Sequence, residues 1–296
     1  MSKIGVVILN YKNWQVTIKC LQNVLKAISE NDEIIVIDNG SKNDSIKNIK
    51  EHINSPKIHF VENDENLGFA KANNQGFGIC KKMKCNFCFF TNSDIIIDPG
   101  CLKKLSEVFM EYSDAVLAGP RILTPQNAIT KSSCNSPVRF LDYFGLSRFA
   151  PRCGAKENLD GIVEKVYSVS GCCFMVDVRK FSEIGMFDEN TFLYNEENIL
   201  ACRIENRGYS EYFTSRTSVV HEHGASSGRK NTFVYTALLK STLYYLKIYR
   251  NYSWLKLYTF LCLYYFKAIL AAISKNEIDA KKIYVDGKKY LFDLYK

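Results

Sequence analysis

The sequence predicts an α/β chain in which a mostly parallel central sheet is flanked by helices and followed by a helical C-terminal appendage. Three observations carry this. Short apolar runs alternate with helix-length amphipathic stretches through the first half of the chain. Two of those runs stop at polar clusters, Asp38-Asn39-Gly40-Ser41 and Asn92-Ser93-Asp94, as buried strands do when they end in turns. Beyond Arg229 the pattern changes to long helical periods packed with Tyr, Phe and Leu.

Ile4–Asn10 reads as the first strand, and Leu21, Val24, Leu25 and Ile28 share one face of the helix after it. Glu33–Asp38 is a strand buried on both faces, Asp44–His52 a helix, and Ile58–Glu62 a third strand. Phe69–Met83 is helical, Phe87–Thr91 a fourth strand, Cys101–Tyr112 a helix and Ala115–Gly119 a further strand. Pro120–Lys165 loses periodicity and is expected as a long loop region over the sheet, a feature usually tied to function. Val166–Val176 returns as a single apolar strand, Glu196–Arg207 as a helix stopped by Gly208, and Ser215–His221 as an extended run. Asn231–Tyr249 and Trp254–Ile273 are the helical patterns of the tail.

A chain of 296 residues, 47% hydrophobic and 24% charged, can bury a large core and is not a disordered or fibrous sequence. Its start, Met1-Ser2-Lys3-Ile4-Gly5, runs directly into a strand pattern, which argues against export. Eleven cysteines are then expected as free thiols in a reducing cytosol. Cys85-x-x-Cys88 has no second pair at zinc-finger spacing and reads as buried small hydrophobes. The net charge of +8 is uneven: residues 229–296 carry 13 Lys/Arg against 4 Asp/Glu, a balance of +9, and the rest is near neutral. A basic, aromatic tail suits an anionic membrane surface, or packing on the body or on a second subunit as a homodimer. Lys256 and Lys267 weaken a spanning assignment, and no nucleic-acid-binding module accompanies the charge.

Ligands of open α/β sheets bind beyond the carboxyl ends of the strands. Asn92-Ser93-Asp94 stands at such an end, where a carboxylate can hold a divalent cation against a phosphate, although Asn and Asp are also ordinary turn residues. Asp38 at another strand end can accept hydrogen bonds from a base or ribose. Glu65–Gly76 is a glycine turn opening a polar-faced helix, neither a Walker loop nor a G-x-G-x-x-G fingerprint. Glu196-Glu197 offers a general base or simply a charged helix start, and His221 a metal ligand or a strand-end histidine. His52 and His59 read as surface residues.

Taken in order, the chain resembles the family 2 glycosyltransferases, in their rhamnosyltransferase-like branch. The matching residues are Val6–Tyr11, Ile37–Ser41, Asn66-Leu67-Gly68-Phe69, Asn73-Asn74-Gln75-Gly76, Asn92-Ser93-Asp94, Ser170-Gly171, Gly185-x-Phe187-Asp188-Glu189, Glu196-Glu197 and His221–Ser226. The resemblance implies a GT-A fold for residues 1–228, with 229–296 outside it, and an inverting, Mg²⁺- or Mn²⁺-dependent transfer from a nucleotide-sugar donor. It places Asp38 on the nucleoside with Asn10 and Tyr11, and Asn66, Gly68, Asn74 and Asn92 also on the donor side. Asp94 and His221 would hold the metal, with His223 as the alternative histidine, and Glu197 would be the base with Glu196 beside it on the acceptor side. Asn92 stands where the family's DxD motif has its first aspartate, and Asn198-Ile199-Leu200 lacks the further acid often found there. The Gln-x-x-Arg-Trp motif of processive synthases is absent, so one sugar per encounter is expected. The branch suggests rhamnose from dTDP-rhamnose and a saccharide or lipid-linked saccharide acceptor, with the enzyme peripheral on the inner face of the cell membrane. The competing expectations are a sugar nucleotidyltransferase, whose glycine- and arginine-rich N-terminal loop is missing, and a non-catalytic nucleotide-sugar-binding protein.

Overall fold

Runs that are apolar at every position become strands only where both sheet faces are covered. The computed structural model, which describes residues 2–145, 156–222, 231–274 and 277–296, meets that condition. β1 (Ile4–Asn10), β2 (Glu33–Asp38), β3 (Ile58–Glu62) and β4 (Phe87–Asn92) lie parallel in the order β3-β2-β1-β4. Helices α1 (Trp14–Ala27), α2 (Ser45–His52) and α4 (Cys101–Glu111) bury their apolar sides on one face, and α3 (Phe69–Lys82) on the other. α3 approaches β1 so closely that a Cβ on Gly76 would lie 2.5 Å from Val7 Cγ1. On that face Phe90 meets the rings of Phe77, Phe174, Phe181 and Phe187, contacts worth about 0.5–1.5 kcal/mol each beyond area burial.

Past β4 the chain adds β5 (Ile95–Ile97), β6 (Ala115–Leu123), β7 (Ser133–Cys134), β8 (Val163–Val166), β9 (Ser168–Val169), β10 (Cys173–Asp177) and β11 (Ser210–His221). The main sheet runs β3-β2-β1-β4-β10-β6-β11-β5, with β8 beside β11. β10 is antiparallel to both its neighbours, so it begins where β4 ends, with Cys173 opposite Thr91. That inversion delivers the turn before β10 to the carboxyl rim of the parallel strands.

Several expectations need correction. Val166–Val176 is three short strands rather than one, because Ser170 N–H leaves the sheet and donates to Ser132 O at 2.8 Å. Pro120–Lys165 contains the end of β6, β7, a 3₁₀ turn at Phe140–Phe144 and most of β8, while residues 146–155 fall outside the described residues. β5, α5 (Val178–Glu183, capped by Asp177) and α9 (Ala280–Asp293) were not expected. β5 is too short to show a period, and the Lys and Tyr pairs of α9 blur its apolar face. Cys85 and Cys88 are buried free thiols, as read.

The tail comprises α7 (Thr232–Tyr244), prolonged by a π turn at Tyr245–Tyr249, then α8 (Trp254–Ser274) and α9. These helices form a third apolar core around Leu239, Leu243, Phe260 and Tyr264, which also takes in Ile199 and Cys202 of α6 (Glu196–Glu205). One carboxylate fastens the two parts. Asp188 Oδ2 accepts from the hydroxyls of Tyr244 at 2.9 Å and Tyr249 at 2.5 Å, and lies 3.1 Å from Arg203 Nη2. Burial opposes its charge, yet the hydrogen bonds from Tyr249, Asn190 and Tyr244 hold the carboxyl below the usual range.

Candidate active site

The ends of β2, β1 and β4 stand side by side, with Asn10 opposite Asp38 and Leu9 opposite Asn92. This is the rim at which open α/β sheets bind ligands. Asp38 is buried and already partnered. Asn10 Nδ2 and Ser41 Oγ each donate to Oδ1 at 2.5 Å, and Ser41 N–H donates to Oδ2 at 3.1 Å. A carboxylate has about four acceptor positions, so Asp38 retains capacity toward the neighbouring 560 Å³ groove, which Asn43, Asp44, Lys47, Lys50 and Glu62 also line. Tyr11 is 39% exposed beyond the end of β1.

Asn66, Gly68 and Asn74 lie behind this rim. Asn66 Oδ1 accepts from Gly68 N–H and Asn39 Nδ2, and a Cβ on Gly68, at φ +81°, would lie 2.4 Å from Phe192 O. Asn74 donates to Phe187 O and Glu189 Oε1 and accepts from Phe187 N–H. The polar groups of these residues hold loops together, and those of buried Asn10 are engaged likewise, with Asp38, Ser41 and Thr17.

β5 pairs antiparallel with the end of β11, placing His221 opposite Ile95. Asp94 is thereby buried, with His221 Nε2 3.2 Å from its Oδ1. That oxygen is buried and has no aligned hydrogen bond. Burial works against a charged His221, but Asp94 and Cys172 beside it outweigh that and push its pKa up to about 10. A buried carboxylate oxygen paired with a ring nitrogen fits a divalent cation, which would replace the imidazole proton between them. Among the described residues no group of three or more His, Cys, Asp or Glu could hold a metal. Asp94 and His221 would supply two ligands only, so a cation there would need its others from phosphate and water. His223 lies outside the described residues.

Glu197 opens α6, where a carboxylate is favoured by the helix dipole. Gly171 N–H donates to its Oε1 at 3.2 Å, and a Cβ on Gly171 would lie 2.4 Å from that oxygen. The next residue, Cys172, accepts from Asn92 N–H at 2.8 Å. Two adjacent residues therefore join Glu197 to the Asn92-Ser93-Asp94 turn. Buried Glu211 secures the same segment by accepting from Val169 N–H at 3.0 Å, and burial raises its pKa well above the ordinary range. Glu196 is turned back on its own loop, accepting from Tyr194 N–H at 2.7 Å. Burial, then the charge of Glu197, pushes it up to about 8.

The residues leading into α6 are held against their preference. Tyr194 and Asn195 both have positive φ, at 75° and 67°, a conformation costing of order 1–3 kcal/mol at each non-glycine residue unless its surroundings enforce it. Here they do. Ser241 Oγ donates to Leu193 O at 2.7 Å, Asn195 Nδ2 donates to Thr242 Oγ1 at 3.1 Å, and Tyr143 OH donates to Asn195 Oδ1 at 2.6 Å. No sequence pattern marks this brace, nor the parts of Cys172 and Glu211. Gly171 and Asp188 stand out in the sequence only as members of motifs. His52 and His59 lie away from the rim, with Asn48 O and Glu33 as partners.

The model of the family described as Glycosyl transferase family 2 matches residues 5–185. The N-acetylglucosaminyl-diphospho-decaprenol L-rhamnosyltransferase of Mycobacterium tuberculosis is 25% identical over 228 residues, covering 72% of this chain and 74% of that one. The low-salt glycan biosynthesis hexosyltransferase Agl10 of Haloferax volcanii is 23% identical over 198 residues, covering 67% and 60%. Among solved structures, that of GalNAc-T7 with UDP, GalNAc and Mn²⁺ aligns with a TM-score of 0.64 at 13% identity, over 98% of this chain and 54% of that one. At that identity the likeness concerns the fold.

Proposed function

The chain belongs to glycosyltransferase family 2, is a glycosyltransferase with the GT-A fold, and from that premise we propose an inverting, metal-dependent transfer of one sugar per encounter. Rhamnose from dTDP-rhamnose is the first choice of donor, given the rhamnosyltransferase among its relatives. The acceptor is a hydroxyl of a saccharide or lipid-linked saccharide, met at the inner face of the membrane.

The observation that carries this reading is the Gly171-Cys172 link. It ties the proposed base, through Gly171 N–H, and the proposed metal turn, through Cys172 C=O, to consecutive residues at one rim. Asp38, supported by Asn10 and Ser41, orients the nucleoside, and Asn92 at the neighbouring strand end assists on the donor side. Asp94 and His221 would hold Mg²⁺ or Mn²⁺, which supplies Lewis-acid stabilisation of the charge developing on the leaving diphosphate. Glu197 takes the proton of the acceptor hydroxyl as that oxygen attacks the anomeric carbon from the face opposite the leaving group. A single displacement inverts the centre and needs one base, by analogy with inverting glycosidases. Burial and the charge of Glu197 disfavour a second negative charge on Glu196 beside that base.

A thermal-shift and hydrolysis screen of nucleotide-sugars, with and without Mn²⁺, tests the proposal. One base-and-sugar combination should stabilise the protein in a Mn²⁺-dependent way. No response to any nucleotide-sugar would overturn it.

A further inference from the structure

Along α8, Leu255, Leu263, Phe266, Leu270 and Ile273 share one outward side and are 44–78% exposed. The two charged residues of α8 leave this side clear. Lys267 Nζ turns inward to Tyr143 O at 2.5 Å, and Lys256 stands at the helix start over the ring of Tyr252. An exposed apolar stripe of this kind marks an interaction surface. Trp254–Ile273 is long and apolar enough to cross a bilayer, with mean hydropathy 1.4. Its other side, however, is committed to protein: Leu257, Phe260, Leu261, Tyr264 and Ala268 are fully buried in the tail core, and Phe260 meets the ring of Phe140. Spanning the membrane would strip that core, whereas lying in the membrane plane leaves it intact.

We propose that α8 docks its outward side into an anionic lipid surface, parallel to it, with the basic residues of the tail at headgroup level. Arg250, Lys256, Lys281, Lys282, Lys288 and Lys289 are all exposed. Trp254 packs on Tyr258 and Phe292 at the start of α8, the ring chemistry favoured at membrane interfaces. Charge selects lipid over a second copy as the occupant. Two tails of balance +9 would repel across a shared interface, while an anionic surface attracts each of them.

The inference extends the lipid-linked acceptor proposed above but is scored by binding alone, so failure of either leaves the other standing. The experiment is flotation of the full chain with phosphatidylcholine vesicles, with and without phosphatidylglycerol. The protein should float with the anionic vesicles, less so in high salt. Phe266→Glu combined with Leu270→Glu should lower partitioning by about tenfold or more, with melting temperature and circular dichroism unchanged. Ile273→Ser, at the most exposed position of the stripe, should lower it by a smaller factor. Unchanged partitioning of both variants, equal binding to neutral vesicles, or a wild-type dimer that the double variant makes monomeric would overturn the proposal.

Discussion

The residues proposed for the donor and those proposed for the base meet at one rim of one sheet, yet they are held in place differently. Asn10, Asp38 and Ser41 bond to one another across neighbouring strand ends. Leu193–Glu197, by contrast, depends on residues about fifty positions away (47 to Thr242, 48 to Ser241 and 52 to Tyr143) and on a strained turn. The first arrangement is assembled by the sheet itself. The second requires the tail, so the tail helices set the geometry of the turn before the proposed base as well as covering α6. Disturbing the tail should therefore reach the base before it reaches the donor.

The largest effects fall on the two sides equally. Asp94→Asn and Glu197→Gln should each lower kcat by about 10²–10⁴, measured as donor-dependent transfer. Turnover alone does not separate the sides. Gly171→Ala begins to do so, because its Cβ would lie 2.4 Å from Glu197 Oε1 and force that side chain to shift. Displacing a base by about 1 Å costs about 10² in rate, so kcat should fall on that scale while donor affinity holds. If donor affinity fell in step, Gly171 would belong to the donor side and the division would fail.

Thr242→Val removes the hydroxyl under Asn195 with little change of volume. A roughly tenfold loss of kcat is expected, with KM for the donor unchanged and about 1 kcal/mol less stability in urea unfolding. Loss of stability with full kcat would reduce the brace to packing. The smallest effect on turnover is that of Asp188→Asn, whose cost falls on stability instead: it weakens the fastening between body and tail by about 1–3 kcal/mol at neutral pH. The folded carboxyl of Asp188 lies below its unfolded value. Its contribution is therefore complete above the ordinary carboxylate pKa of about 3.9 and lost as pH falls through the lower folded value. The stability gap between wild type and Asp188→Asn, followed by urea unfolding, should narrow in acid; a gap independent of pH would place it in packing.

The same division explains what could be read from the sequence. β1, β2 and β3 occupy the expected residues, because doubly buried strands are continuous apolar runs stopped by polar turns. Asn10 and Asp38, proposed for the donor side, end β1 and β2, where a polar residue closing an apolar run is legible from local pattern. The segment from Val166 to Val176 misled because Ser170-Gly171 interrupts an apolar run too briefly to change its composition. The brace was invisible for a different reason: Ser241 and Thr242 are ordinary residues in a helical period, and their role arises only when α7 folds over a loop far away in the chain. Asp188 was visible as part of a motif, but its partners Tyr244 and Tyr249 were lost among the many tail tyrosines.

The most direct test of the division is donor titration by calorimetry in the presence of Mn²⁺, on wild type, Glu197→Gln and Asp94→Asn. Glu197→Gln should bind the donor as wild type does, and Asp94→Asn should lose the Mn²⁺-dependent part of that binding. Normal Mn²⁺-dependent binding by Asp94→Asn, or loss of donor binding by Glu197→Gln, would contradict it.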